Sequence, residues 1–284
     1  MNPDIVPSID NSTQASPSQD SPSKGMFAFG AQHWQTLAGR AAVLVFILGF
    51  WWLASGTFIK EFYLPAPAKV LGELHEWIAD GSLASNILAT LIPGIKGFLI
   101  ATSLAFVLGY TLAMARFAAG VFEPYISALY GIPIIALVPL LILWAGIGEG
   151  LAISVAAMAS FFLMFYNVYF GIREVSQTLI DQVLIAGGSK WDVAFRVRLP
   201  SALVWVVGGM KVAVPHSIVG VVVAEFLTGN RGLGFLLSSN ANQFNAAGVF
   251  AAVFVLAAIS FVLDRSLFLL TKRALIWKDA NRHS

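Results

Sequence analysis

Apolar and polar positions along the chain are segregated on a coarse scale: apolar runs near 20 residues long are separated by short stretches holding Gly, Pro and charge. Such runs match the roughly 20 helical residues needed to cross a hydrocarbon core about 30 Å thick, in which no backbone N–H or C=O can be left unpaired. They exceed the length of barrel strands. The pattern predicts an all-α integral membrane protein of about six transmembrane helices, at about 41–59, 87–115, 123–147, 151–170, 201–225 and 247–270, within one membrane domain over 36–275. Residues 1–35 open with "MNPDIVPSIDNSTQASPSQDSPSKG", which has almost nothing to bury and predicts a disordered tail. Residues 276–284 form a short C-terminal tail. A signal peptide would need a basic segment, a short apolar core and a small-residue cleavage site; none is present, so the first span is expected to stay in the mature chain.

Composition agrees with this reading. Hydrophobic residues make up 58% and charged residues 11% of 284, with mean hydropathy +0.79, outside the range of ordinary soluble domains. Cysteine is absent, which removes disulfides and thiolate metal sites. His33, His75, His216 and His283 are scattered without metal-ligand spacing.

Charge sets the expected orientation. With the N-terminus in the cytoplasm, twelve of the seventeen Lys and Arg residues fall in inside segments and only Lys60, Lys69 and Arg231 outside. This follows the positive-inside rule and predicts both termini in the cytoplasm. The small net charge of +2 then reflects topology and gives no reason to expect nucleic acid.

On this topology residues 174–200 form a cytoplasmic loop containing "TLIDQVLIAGGSKWDVAFRVRLP". Thr178 with Asp181, and Ser189 with Asp192, have the spacing of helix-capping pairs. They predict two short helices, one over about 179–186 ending at Gly187 and one beginning after Ser189. Leu179, Ile180, Val183 and Leu184 would line one face of the first, and Trp191, Ala194 and Phe195 one face of the second. Periodicity leaves two uses open: an interfacial anchor, or a docking element for a partner.

The stretch "DQVLIAGGSKWDVAFRVRLP" resembles the EAA loop of binding-protein-dependent ABC transporter permeases, whose spacing runs from E-A-A through Gly to a closing L-P. Asp181, Gln182 and Val183 stand in the E-A-A place, Gly187 at the glycine and Pro200 at the close; Gln and Val depart from the two alanines. "YLPAPAKVLGEL", "GIPIIALVPLLILWAGIGEG" and "VVAEFLTGNRGLGFLL" resemble segments of permeases importing nitrate, sulfonates, taurine, bicarbonate or thiamine-precursor pyrimidines. The resemblance implies a type I importer permease in a bacterial inner membrane. It also implies a second permease copy, cytoplasmic ABC ATPase subunits, an external solute-binding protein, and a small, anionic solute or an alternative organic one. Asp181, Gln182, Val183, Leu184, Gly187, Gly188, Ser189, Lys190, Trp191 and Pro200 are then expected to couple to the ATPase. No nucleotide-binding G-x-x-x-x-G-K-[ST] is present, so the chain is expected to be no enzyme and to bind no cofactor of its own, with ATP used by the partner. "GNRGLG" at 229–234 reads as a turn.

Ionisable residues within spans are the candidate pathway residues, since charge at membrane depth is expensive. Lys96 can snorkel toward the headgroups. Lys211 lies deeper; Pro215 cannot donate to its carbonyl and predicts a kink. Lys211, Ile218 and Glu225 recur every seven residues on one face, with His216 elsewhere. Lys211, Pro215, His216 and Glu225 are therefore expected in a translocation pathway, a structural or gating role for Lys211 remaining equally open. A self-sufficient secondary transporter, or a membrane enzyme using His216 and Glu225, would leave the loop spacing without an explanation.

Overall fold

The computed structural model describes the backbone of residues 23–280 and the side chains of Trp34 and of most residues from 36 to 271. Residues 1–22 of the tail expected over 1–35, and the last four residues, lie outside the described residues. The chain divides into two compact units, Met1–Leu53 and Ala54–Ser284.

The first unit is described by α1, Ser23–Ala54. Its helix begins inside the segment expected to be a disordered tail, and its membrane-compatible part is Thr36–Ala54 instead of 41–59. The shift has a local cause: after Ala54 the chain turns at Gly56, whose φ is +82°, and the Gly56 N–H donates to the Ile59 carbonyl at 2.8 Å.

The second unit is all-helical among the described residues. In order it contains α2 Pro67–Ala79, α3 Ser82–Met114, α4 Arg116–Tyr130, α5 Ile134–Ala145, α6 Glu149–Arg173, α7 Gln177–Ile185, α8 Lys190–Asp192, α9 Leu199–Thr228, α10 Leu233–Asn242 and α11 Ala246–Ala280. A π-helical turn, Val193–Arg198, joins α8 to α9. Four helical stretches here are long and apolar enough to cross a membrane: Ser82–Met114, Glu149–Arg173, Lys190–Thr228 and Ala246–Thr271. They correspond to the predicted second, fourth, fifth and sixth spans.

The predicted third span, 123–147, is not one straight helix. It is the pair α4 and α5, bent by 95° between Tyr130 and Ile134. Pro133 has no N–H to continue the ladder and disfavours the helical conformation of Ile132 before it, so hydropathy alone could not reveal the break. By contrast, α9 runs unbroken through Pro215, at which the expected kink does not end the helix.

The centre of the unit is α3, α6 and α9, which pack most extensively on one another. One buried cluster gathers Phe98, Ala105, Met164, Phe165, Val168, Tyr169, Ala202 and Ala213; a second gathers Val138, Leu141, Leu151, Val155 and Val221. Lipid tails are as apolar as these side chains, so helix association depends on close contact between small residues. A Cβ added at Gly97 would stand 2.6 Å from Ala156 Cβ and 2.7 Å from the Ile153 carbonyl oxygen, and one at Gly220 would stand 2.9 Å from Ala156 Cα. Gly97 thus brings α3, and Gly220 brings α9, onto the same part of α6.

Candidate functional site

The loop between α6 and α9 has the two-part form that its spacing predicts, with corrected boundaries. The first helix, α7, starts at Gln177 with Ser176 as its N-cap residue. Thr178 and Asp181 lie inside it and do not cap it; Asp181 accepts instead from Gln177 Nε2 at 2.9 Å. At the other end the Gly188 N–H donates to the Val183 carbonyl at 2.9 Å and the Gly187 N–H to the Leu184 carbonyl at 3.1 Å. This paired arrangement is a Schellman stop, which satisfies carbonyls that a helix end leaves free. The two glycines serve it differently. Gly187 has φ +86°, while Gly188 approaches so closely that an added Cβ would stand 2.6 Å from Val183 Cγ1.

The second capping pair is present. Ser189 Oγ accepts from the Asp192 N–H at 3.2 Å, and the Asp192 carboxylate accepts from the Ser189 N–H at 2.9 Å. The helix it starts does not remain separate, since Lys190–Asp192 passes through the π-helical turn into α9. Pro200 offers no N–H to the carbonyl of Arg196, and the widened turn just before it accommodates that loss.

The faces are only partly as periodicity drew them. In α7, Ile180 is 6% exposed, whereas Leu179 and Leu184 remain exposed. Ala194 turns inward, where its carbonyl accepts from Tyr110 Oη at 3.1 Å. Trp191, 72% exposed, and Phe195 stack at 5.6 Å between ring centroids. Ile185 is 86% exposed. The widened turn alters the residue period, which is why Ala194 leaves the face of Trp191 and Phe195. The result is a capped, rigid turn presenting Leu179, Leu184, Ile185, Trp191 and Phe195.

At the opposite end of the helices, near α10, Glu225 is buried in α9 with 6% exposure. Thr90 of α3 stands with its Oγ1 2.9 and 3.0 Å from the two carboxylate oxygens. Gly234 donates its N–H to Glu225 Oε2 at 2.9 Å, Leu233 to Thr90 Oγ1 at 2.9 Å, and Gly232 to Asn86 Oδ1 at 2.6 Å. Three successive amides at the start of α10 are thereby held by three buried side chains. This supplies partners that the unpaired N–H groups of a helix start require. "GNRGLG" is accordingly the turn between α9 and α10, with φ +102° at Gly232.

Beside this clamp lies a cavity of about 400 Å³, lined in part by Ala89, Pro93, Glu149, Glu225, Asn230 and Arg231. Lys96, expected to snorkel, forms an ion pair with Glu149 at 2.6 Å. The other candidate pathway residues do not join Glu225 there. Lys211 places its Nζ 5.4 Å from the ring centroid of Phe268 on α11, a cation–π contact. His216 is exposed, its Nδ1 2.9 Å from the Val212 carbonyl oxygen. Pro215 is half-buried within α9. The sequence reading missed Asn86, Thr90, Glu149 and Arg231 as site residues. Asn86 and Thr90 carried one available signal: they are polar residues four apart on a single face of an apolar helix.

No group of three or more metal-ligating side chains occurs among the described residues. A family model described as "binding-protein-dependent transport system inner membrane component" matches residues 97–276. The riboflavin transport system permease protein RibX of Chloroflexus aurantiacus is 33% identical over 248 residues, covering 86% of this chain and 91% of that protein. The taurine transport system permease protein TauC of Escherichia coli is 29% identical over 241 residues, covering 82% and 87%. A chain of the MetNI methionine ABC transporter in an inward-facing crystal form has a TM-score of 0.57 at 19% identity, covering 71% of this chain and 98% of that one. At that identity the likeness bears on the fold alone, and it is the type I importer permease fold. Because the family model spans more than half of the chain, the protein belongs to the binding-protein-dependent transport system inner membrane components, multi-pass transport subunits and not enzymes.

Proposed function

We propose that this chain is the permease subunit of an ABC importer in a bacterial inner membrane, with both termini in the cytoplasm. Two copies form the pathway, an external solute-binding protein delivers the solute, and a separate ATPase subunit drives transport by gripping the turn from α7 to α8. The observation that carries this reading is the exposure of Leu179, Leu184, Ile185, Trp191 and Phe195 on a turn stiffened by the Gly187–Gly188 stop and the Ser189–Asp192 cap. Exposed apolar groups on a rigid turn favour a protein partner, because their burial on docking needs little further ordering. Asp181, Gln182 and Val183 lie on α7 and Lys190 on α8, the two arms of that turn, with Pro200 just beyond it in the first turn of α9.

The proposed solute is small and carries an anionic group, as the likeness to the taurine permease favours. A second reading, a larger organic solute, is favoured by the likeness to the riboflavin permease.

The test of coupling is copurification with the ATPase, combined with ATP-driven uptake in liposomes. Gly187→Val, which puts a β-branched residue at positive φ, and Val183→Asp, which places an unpaired charge at the interface, should leave the permease inserted while weakening ATPase binding and abolishing uptake. Normal binding and uptake in both variants would return the loop to the role of an interfacial anchor.

A further inference from the structure

We infer that the cavity beside the α9–α10 turn is a solute-reception site for a small zwitterion, with Glu225 taking an ammonium group and Arg231 an anionic group. This rests on the importer reading and adds a place and a chemical class to it.

The inference starts from two opposite charges, Glu225 and Arg231, that act on each other through space without forming an ion pair among the described residues. Glu225 lines the cavity and is buried, yet among the described residues no salt bridge reaches it. A buried carboxylate is costly, and its cationic neighbour Arg231 stands beyond ion-pair distance, so a cation seated closer would stabilise it. Its hydrogen bonds do not saturate it: Thr90 and Gly234 are its donors, whereas a carboxylate offers about four acceptor positions. Arg231 is exposed on the rim of the same cavity and takes part in no hydrogen bond or ion pair among the described residues. Its guanidinium fork is suited to a carboxylate or sulfonate. The remaining acid of the lining, Glu149, is paired chiefly with Lys96 and only more weakly acted on by Arg231.

The cavity is therefore dipolar, with an acid inside and a base at the rim, and the apolar Ala89, Pro93 and Ala224 also in its lining. A simple anion would satisfy Arg231 and be repelled by Glu225; a simple cation would do the reverse. A short molecule with an ammonium at one end and an anionic group at the other satisfies both. The clamp of Asn86, Thr90 and Glu225 on residues 232–234 fixes the turn that carries Arg231, making Asn86 and Thr90 positioning residues of this site.

The test uses the full-length chain in lipid nanodiscs, without ATPase or binding protein, and measures ligand contact by saturation-transfer NMR. The probes are taurine; ethanesulfonate, the same molecule without its ammonium; and riboflavin. Taurine should bind, and ethanesulfonate should bind about tenfold more weakly, equivalent to about 1.4 kcal/mol. Arg231→Gln and Glu225→Gln should each weaken taurine about as much, while Ser16→Asp in the N-terminal tail leaves it unchanged. Should Glu225→Gln fail to fold, the comparison of taurine with ethanesulfonate on the unaltered chain still decides the role of the carboxylate. Equal binding of those two probes, no taurine contact, binding of riboflavin alone, or unchanged taurine binding in Arg231→Gln would each overturn the inference. Loss of coupling appears only in the ATPase experiment, so failure here and failure of the importer reading are separately visible.

Discussion

Thr90 and Glu225 are 135 residues apart in the chain, yet the threonine hydroxyl sits within 3.0 Å of both carboxylate oxygens, and each residue also takes one amide of the α10 start. Through this pair the apolar helices α3 and α9 jointly determine where the α9–α10 turn lies.

Thr90→Val keeps the side-chain shape but removes the hydroxyl, leaving the Leu233 N–H without its acceptor and Glu225 without one donor. Each unsatisfied buried group costs about 1–3 kcal/mol, so the thermal midpoint of the purified chain should fall while Thr90→Ser stays near the original. Equal midpoints for Val and Ser would mean that the hydroxyl is not an essential part of the clamp.

Gly97 should tolerate no added bulk, because Ala156 and the Ile153 carbonyl occupy the space a Cβ would need. Gly97→Val should separate α3 from α6 and destabilise by about 1–3 kcal/mol, the usual range for overpacking. Thermal unfolding monitored in detergent would measure the loss. Gly72, with open space around it, provides a control at which Ala should have little effect.

Lys211 stands over Phe268 and does not line the described cavity. Lys211→Met should therefore lower stability by about 0.5–2 kcal/mol through loss of the cation–π contact, with uptake near normal. In a double-mutant cycle with Phe268→Leu the two effects should fail to add, because the contact can be removed only once. Additive effects would break the link to Phe268, and a selective loss of uptake would restore Lys211 to the pathway.

The proposed orientation is open to direct labelling, and the absence of cysteine leaves no background. A cysteine at Ser189 should react with impermeant reagents only from the cytoplasmic side, and one at Asn230 only from outside. The opposite pattern would invert the topology and place the cavity of Glu225 on the cytoplasmic face.

By itself the sequence determined the membrane class, the approximate place of most of the spans, and the punctuation of the α7–α8 loop. Each of these depends on interactions within a short stretch: an apolar run must be about 20 residues long to cross lipid, Gly187 supplies a positive φ, and Ser189 with Asp192 closes a local hydrogen-bonded ring. Local information was insufficient even nearby, where α7 begins at Gln177 and not beyond Thr178, and where the π-helical turn moves Ala194 off its expected face. The break between α4 and α5 left a trace in Pro133, but Pro215 bears the same residue type within an unbroken helix. Whether a proline ends a helix depends on what the neighbouring helices allow. Tertiary structure alone decided the partners of the charged and polar residues: Lys96 with Glu149, Lys211 with Phe268, and Asn86, Thr90 and Glu225 with the amides of one turn. Most of those partners are far apart in the chain, and only the packing of α3, α6, α9, α10 and α11 brings them into contact.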